Sequence, residues 1–248
     1  MRVEKIINCE NACKRFGENE IIKNLSLSAD KNEFIAVVGP GRSGKTTLIN
    51  LLSGLETADS GIITVNGETV DRPSASRGVV FQTTLLFPWM TVMGNVAYGP
   101  RSQGMSRRES REKAEKYIKL VGLEGFEHAY PVQLSGGMKQ RVGIARVYCS
   151  GPEVIFMDEP FGHLDAQTRY LMQEELERVW QSEKKTVVFV TNNIEEAVYL
   201  ADRVLVMTNC PAHIKAEFRI DLPRPRSYMD SAFLEYRRAI NAVIAPTE

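Results

Sequence analysis

The segment Gly39-Pro40-Gly41-Arg42-Ser43-Gly44-Lys45-Thr46 matches G-x-x-x-x-G-K-[ST] and opens into Thr47-Leu48-Ile49-Asn50-Leu51-Leu52, which reads as a helix. This pattern grips phosphate. Its glycines let successive backbone N–H groups and the helix N-terminus face an anion. Lys45 is placed for the β- and γ-phosphate oxygens and Thr46 for Mg²⁺. The phosphate-facing stretch is Gly39 to Thr47. The rival, an ordinary glycine turn, is weak, because composition alone produces the pattern in a chain this long roughly once in a hundred tries. Arg42 has two readings, beside phosphate or facing water. The loop works through backbone groups, which favours water.

A second chemical feature ends the apolar run Val154-Ile155-Phe156-Met157 with Asp158-Glu159. Carboxylates at the carboxyl end of a buried strand lie where open α/β sheets bind ligands. Beside a phosphate loop they acquire roles: Asp158 holds the magnesium water shell, and Glu159 orients or deprotonates an attacking water. An exposed acidic strand end is the rival reading. The third feature is Ser135-Gly136-Gly137, followed by the helical pattern Met138 to Arg146. Its amides and the positive end of the helix dipole form a second anion site. By themselves a serine and two glycines fit any loop.

These groups need a scaffold, and the pattern around them describes one. Phe34 to Val38, Val154 to Met157 and Thr186 to Val190 are short apolar runs with little alternation, as in parallel strands buried on both faces. Asn24-Leu25-Ser26-Leu27-Ser28 alternates, and Gly61 to Val65 runs into Asn66-Gly67, a hairpin signal, so antiparallel strands flank the phosphate loop. From Met105 to Val121 the period becomes helical, with Ser106 and Glu109 spaced as a capping box. A mainly helical insertion therefore divides the core. The chain closes with Asn209-Cys210-Pro211, the proline-rich Asp221-Leu222-Pro223-Arg224-Pro225-Arg226, and an amphipathic helix with Phe233, Tyr236, Ile240 and Val243 inward. The fold class is α/β.

The 248 residues are 43% apolar, enough for a large core, and 31 basic residues balance 31 acidic ones. That balance gives no global field to attract nucleic acid or an anionic membrane, and no nucleic-acid partner is expected. No run approaches the roughly 20 apolar residues needed to cross a bilayer, so any membrane link goes through a protein partner and the chain is expected in the cytoplasm. Cys9, Cys13, Cys149 and Cys210 lack C-x-x-C spacing and read as reduced thiols. His128, His163 and His213 are scattered. No cysteine or histidine metal site is expected.

Leu134-Ser135-Gly136-Gly137-Met138-Lys139-Gln140-Arg141, about twenty residues before the carboxylate pair, resembles the signature sequence of ATP-binding cassette (ABC) proteins, and the resemblance covers nearly the whole chain. It implies a P-loop NTPase (RecA-like) core with an antiparallel β subdomain and a helical subdomain. The core would take 1–82 and 152–208, the helical subdomain 83–151, and a C-terminal extension 209–248. The cofactors implied are ATP and Mg²⁺. Phe81-Gln82 resembles the Q-loop, which implies that Gln82 senses Mg²⁺ and the γ-phosphate. Phe16 stands where the family stacks an aromatic ring on adenine, with a core phenylalanine as its rival. Gly162-His163-Leu164-Asp165 resembles the D-loop, which implies an interface role for His163.

One position departs from the family. Where threonine-histidine-aspartate is usual, this chain has Thr191-Asn192-Asn193. Asn192 can donate to a phosphate oxygen without the charge of an imidazolium. Asn192 followed by Glu195 also reads as a helix N-cap, and both readings stand. The expectation is normal ATP binding with slowed hydrolysis.

Residues 82–92, 161–169 and 221–226 look most like ATP-binding subunits of nitrate/sulfonate/taurine-type importers. That resemblance implies a homodimer or heterodimer of cassettes docked on two membrane-spanning permease subunits, on the inner face of the membrane, fed by an external solute-binding protein. ATP would lie between Lys45, Thr46 and Gln82 of one subunit and Ser135 and Gly137 of the other. Phe87, Pro88, Trp89 and Met90 read as a contact patch, with core packing as the rival. Two other functions remain in view: an ATP-binding clamp with weak or no hydrolysis, and a soluble cassette without a permease. The transported solute is not written in these residues.

Overall fold

The computed structural model describes residues 5–244. Along the chain run β1 (Lys5–Phe16), β2 (Asn19–Asp30), β3 (Phe34–Val38), α1 (Lys45–Ser53), β4 (Ser60–Val65), β5 (Glu68–Thr69), β6 (Arg77–Val80), α2 (Val92–Ser102) and α3 (Arg107–Leu120). After these come α4 (Gly136–Ser150), β7 (Val154–Asp158), α5 (Ala166–Glu183), β8 (Thr186–Thr191), α6 (Ile194–Leu200), β9 (Arg203–Met207), β10 (Ile214–Arg219) and α7 (Ser231–Ile244). The described residues group into two compact units. One takes those up to Ser74, Phe156–Glu159 and those from Lys184 on; the other takes Ala75–Ile155 and Pro160–Glu183.

In the first unit, β2-β1-β4-β5 form an antiparallel sheet. Leu25 and Leu27 of β2 are buried while Asn24 and Ser26 face out, which is the alternation a one-sided sheet requires. The Asn66-Gly67 hairpin forms as its sequence predicts: both residues have positive φ (55° and 75°), and Val65 pairs with Glu68. A larger sheet includes β10, β9, β3, β8 and β7 side by side in that order, with β3 parallel to both β8 and β9. Every residue of β3, β7 and β8 is buried, which explains why these runs carry no alternation. The phosphate-binding loop follows β3, the carboxylate pair ends β7, and the Thr191-Asn192-Asn193 segment ends β8.

The proline-rich C-terminal segment has a specific task. Arg226 is only 7% exposed. Its Nη1 donates to the carbonyls of Val198 (2.7 Å), Tyr199 (3.1 Å) and Ala201 (2.6 Å), while Nη2 donates to Ile220 O (3.2 Å) and Nε to Leu222 O (3.3 Å). A helix end leaves its last carbonyls without partners, and here one buried guanidinium supplies them for α6. Nearby, Arg224 pairs with Asp202 at 2.7 Å, Tyr228 stacks on Tyr199 at 4.8 Å, and Arg237 of α7 pairs with Glu195 of α6 at 3.2 Å. On α7, Phe233 and Ile240 are buried as predicted, whereas Tyr236 and Val243 are half-buried.

In the second unit, α2, α3 and α4 pack on one another. The capping box of α3 forms: Glu109 N–H donates to Ser106 Oγ (3.2 Å) and Ser106 N–H to Glu109 Oε2 (3.1 Å). Asn95 is fully buried, an arrangement with no signal in the sequence. Its amide accepts from Phe87 N–H (2.8 Å) and donates to the carbonyls of Phe87, Met90 and Thr91 (3.2, 3.1 and 3.0 Å), so it shapes the turn that carries the apolar residues before α2.

Candidate active site

The loop from Gly39 to Gly44 turns back so that α1 starts at Lys45 with no acidic residue in its first turn and no side-chain cap on its amides. Those amides are open to an anion. Gly44, at φ 91°, is held to glycine twice over, since an added Cβ would fall 2.8 Å from Ile21 Cγ2. Arg42 adopts φ 63° and is exposed, which agrees with the reading that its side chain faces water. Its carbonyl accepts from the Cys210 thiol at 3.3 Å, a contact 168 residues apart in sequence that no local pattern announces.

Lys45 is 4% exposed. Its ammonium donates to Pro40 O (2.8 Å) and Gly39 O (3.1 Å), lies 3.5 Å from Ser43 Oγ and 3.7 Å from Glu159 Oε1. Burial lowers its pKa, and the carboxylates of Glu159 and Asp158 pull it back up. Asp158 is pushed the other way: burial raises its pKa, the Thr46 hydroxyl lowers it, Glu159 raises it and Lys45 lowers it. Glu159 sits at φ 40°, a left-handed conformation uncommon outside glycine, and its N–H bonds to Val190 O at 2.9 Å. Lysine, two carboxylates and the Thr46 hydroxyl therefore converge from the ends of β3 and β7.

The fit to magnesium rests on one atom. Among the described residues Asp158 Oδ1 is buried without a hydrogen-bond partner, a costly state for a carboxylate oxygen and one that a hard cation or its water shell would relieve.

Asn192 is exposed, and its side chain makes no hydrogen bond among the described residues. The N-cap of α6 is Asn193 instead, whose Oδ1 accepts from Glu195 N–H (2.8 Å) and Glu196 N–H (3.4 Å). The capping reading of Asn192 is thereby corrected by one residue. Thr191 Oγ1 accepts from Asn193 N–H at 3.0 Å and donates to Glu196 Oε2 at 2.5 Å, fixing the turn from both sides. Phe16, at the end of β1, is 46% exposed and so lies outside the core; Lys14 Nζ is 5.2 Å from its ring centroid.

The second unit carries the other predicted residues. Ser135 is exposed and caps α4, accepting from Met138 N–H at 3.3 Å, and the first turn of α4 also lacks acidic residues. Gly137 is buried, and a Cβ there would meet Thr168 Cγ2 at 2.7 Å, so any larger residue requires that side chain to shift. Gln82 is half-buried, with no hydrogen bond among the described residues. His163 is exposed, and Asp165 Oδ1 accepts from Thr168 N–H at 3.0 Å. Leu85 (56%) and Trp89 (70%) are exposed, and Phe87 packs against Tyr98 at 4.7 Å with the Arg146 guanidinium 5.6 Å from its ring. The core reading of this cluster fails at Trp89.

Residues 22–162 match the ABC transporter family. An uncharacterized ABC transporter ATP-binding protein of Methanocaldococcus jannaschii is 49% identical over 243 residues, covering 96% of this chain and 91% of its own. The nitrate import ATP-binding protein of a Synechocystis species is 43% identical over 236 residues, covering 92% and 89%. Among solved structures, the dimeric structure of a bacterial ABC transporter cassette aligns with a TM-score of 0.75 at 28% identity, over 88% of this chain and 100% of that one. A phosphate loop, a paired carboxylate strand end and a serine-glycine helix start, set on a shared fold and joined to these likenesses, place the chain in the ABC transporter family of ATP-hydrolysing cassettes.

Proposed function

We propose that this chain is the ATP-hydrolysing subunit of an importer for a small anion, of the nitrate, sulfonate or taurine class, and that two copies or paired cassettes close on ATP to drive a membrane permease. The observation that carries this reading is the presence of two separate anion-ready helix starts, α1 and α4, each without an acidic residue in its first turn. The α1 amides and Lys45 bind the β- and γ-phosphates of one nucleotide. Ser135 Oγ only accepts, from Met138 N–H, so its hydroxyl proton remains to donate to the γ-phosphate held by a partner cassette.

Thr46 and Asp158 would hold Mg²⁺, with Gln82 assigned to sense it; the ion, when bound, neutralises charge developing on the β- and γ-oxygens. Phosphate binding gives Lys45 an anionic partner and so releases Glu159, 3.7 Å away, to accept a proton from the attacking water. The exposed ring of Phe16 stacks on adenine. Loss of the γ-phosphate removes the group both cassettes share, and the pair reopens. The exposed patch around Leu85, Phe87 and Trp89 is the surface offered to the permease.

The test uses Glu159→Gln with Mg-ATP. Size-exclusion chromatography with light scattering should show an ATP-dependent dimer, and adding Ser135→Arg should abolish the dimer while ATP affinity stays within about threefold. A monomeric Glu159→Gln chain saturated with ATP would overturn the sandwich.

A further inference from the structure

Away from the phosphate loops, the second unit contains a recess of about 160 Å³ lined by Arg101 from the end of α2, Arg107 and Arg111 from α3, Thr91 and His128. We propose that this recess is a binding site for a phosphate-type oxyanion, distinct from the nucleotide site.

Three features of the recess, whose arginines are all exposed, set positive charge against positive charge. Arg107 is the first residue of α3, where the positive end of the helix dipole repels a cation. Arg111 stands one turn further on the same face, a like-charge i,i+4 pair. Arg101 is brought to the same recess from a different helix. No carboxylate lines it, and none of the three guanidiniums makes an ion pair among the described residues.

Neighbouring acids are committed elsewhere. Glu109 closes the capping box with Ser106, Glu112 pairs with Arg108 at 2.8 Å, and Glu127 accepts from Gly125 N–H at 3.1 Å. Glu115, one turn beyond Arg111, is not paired with it. The clustering is not a by-product of a basic chain, because basic and acidic residues balance at 31 each. Guanidinium forks match the oxygen spacing of phosphate and can bind it bidentately, and one bound oxyanion would offset all three repulsions together.

Free phosphate and the phosphate of an anionic lipid headgroup share this chemistry. In the test, inorganic phosphate is titrated calorimetrically into the full chain at low salt, with saturating ADP occupying the nucleotide site. Flotation is measured in parallel with vesicles of phosphatidylglycerol and phosphatidylcholine, against phosphatidylcholine alone. Binding should weaken at least tenfold in Arg107→Gln/Arg111→Gln, with ATP affinity unchanged and melting temperature not lowered. Phosphate heat without flotation assigns a free anion; flotation only on phosphatidylglycerol assigns a headgroup. Absence of both, or binding equal in the double variant, overturns the proposal, and Arg101→Gln repeats the measurement if the double variant melts early.

Discussion

Adjacent asparagines have opposite roles at the end of β8. Asn193 spends its side chain on the first turn of α6, whereas Asn192 leaves its amide exposed and, among the described residues, without a hydrogen bond. Asn193→Ala should therefore cost about 1 kcal/mol and lower Tm by roughly 2–4 °C, while Asn192→Ala leaves Tm unchanged, as thermal unfolding would show. Asn192→His supplies a charge-capable donor at an exposed position and should raise steady-state ATP turnover about tenfold. No gain would remove Asn192 from the reaction. Asp158 gives a pH-dependent prediction. Its folded pKa is raised, chiefly by burial, so the folded chain binds this proton more tightly than the unfolded one, and ionised Asp158 destabilises the nucleotide-free protein above that raised pKa. Asp158→Asn should accordingly raise Tm near neutral pH, with the gain vanishing as pH falls below the unfolded carboxylate value, and should abolish magnesium-dependent hydrolysis. A Tm gain that persists at low pH would refute the charge argument.

At the scale of elements, α6 shows how a short helix is held at both ends. Seven residues are too few for an isolated helix to persist in water, so its stability is tertiary. Asn193 serves the N-terminus and Arg226 the C-terminal carbonyls, from 25 to 28 residues away. Arg226→Met strips a buried set of carbonyls of their donor and should cost about 3 kcal/mol, read as a lower urea midpoint at constant m-value. Arg226→Lys, with three compact donors instead of a planar fork, should recover only part of it. Arg108→Met, at an exposed helix pair, is the control and should change stability by less than about 0.5 kcal/mol. The helix existed in the sequence as a pattern; its two anchors were legible only in part. Spacing places the asparagine cap one residue early because either asparagine satisfies the rule, and backbone geometry alone selects Asn193. Arg226 closes a proline-rich run that carries no sequence signal for burial.

For the whole molecule, nucleotide should act as a stabiliser through mass action. ATP at about 100 times its Kd should add roughly 2.7 kcal/mol to the folded state, and Lys45→Ala should remove that shift in a thermal melt without magnesium. A shift that survives Lys45→Ala would place nucleotide outside the phosphate loop. The sequence by itself determined the parts whose chemistry is local: the phosphate loop, the carboxylate-ended strand, the serine-glycine helix start, the capping box of α3 and the Asn66-Gly67 turn. Each depends on residues within one turn or strand, where spacing fixes geometry. Only the tertiary structure decided what depends on contacts distant in sequence. It set Lys45 beside Glu159, left Asp158 Oδ1 buried and without a partner among the described residues, joined Cys210 to Arg42, buried Arg226 under α6 and gathered three arginines from two helices into one recess. Burial and charge proximity arise when separate segments pack, and no linear pattern encodes the distance between them.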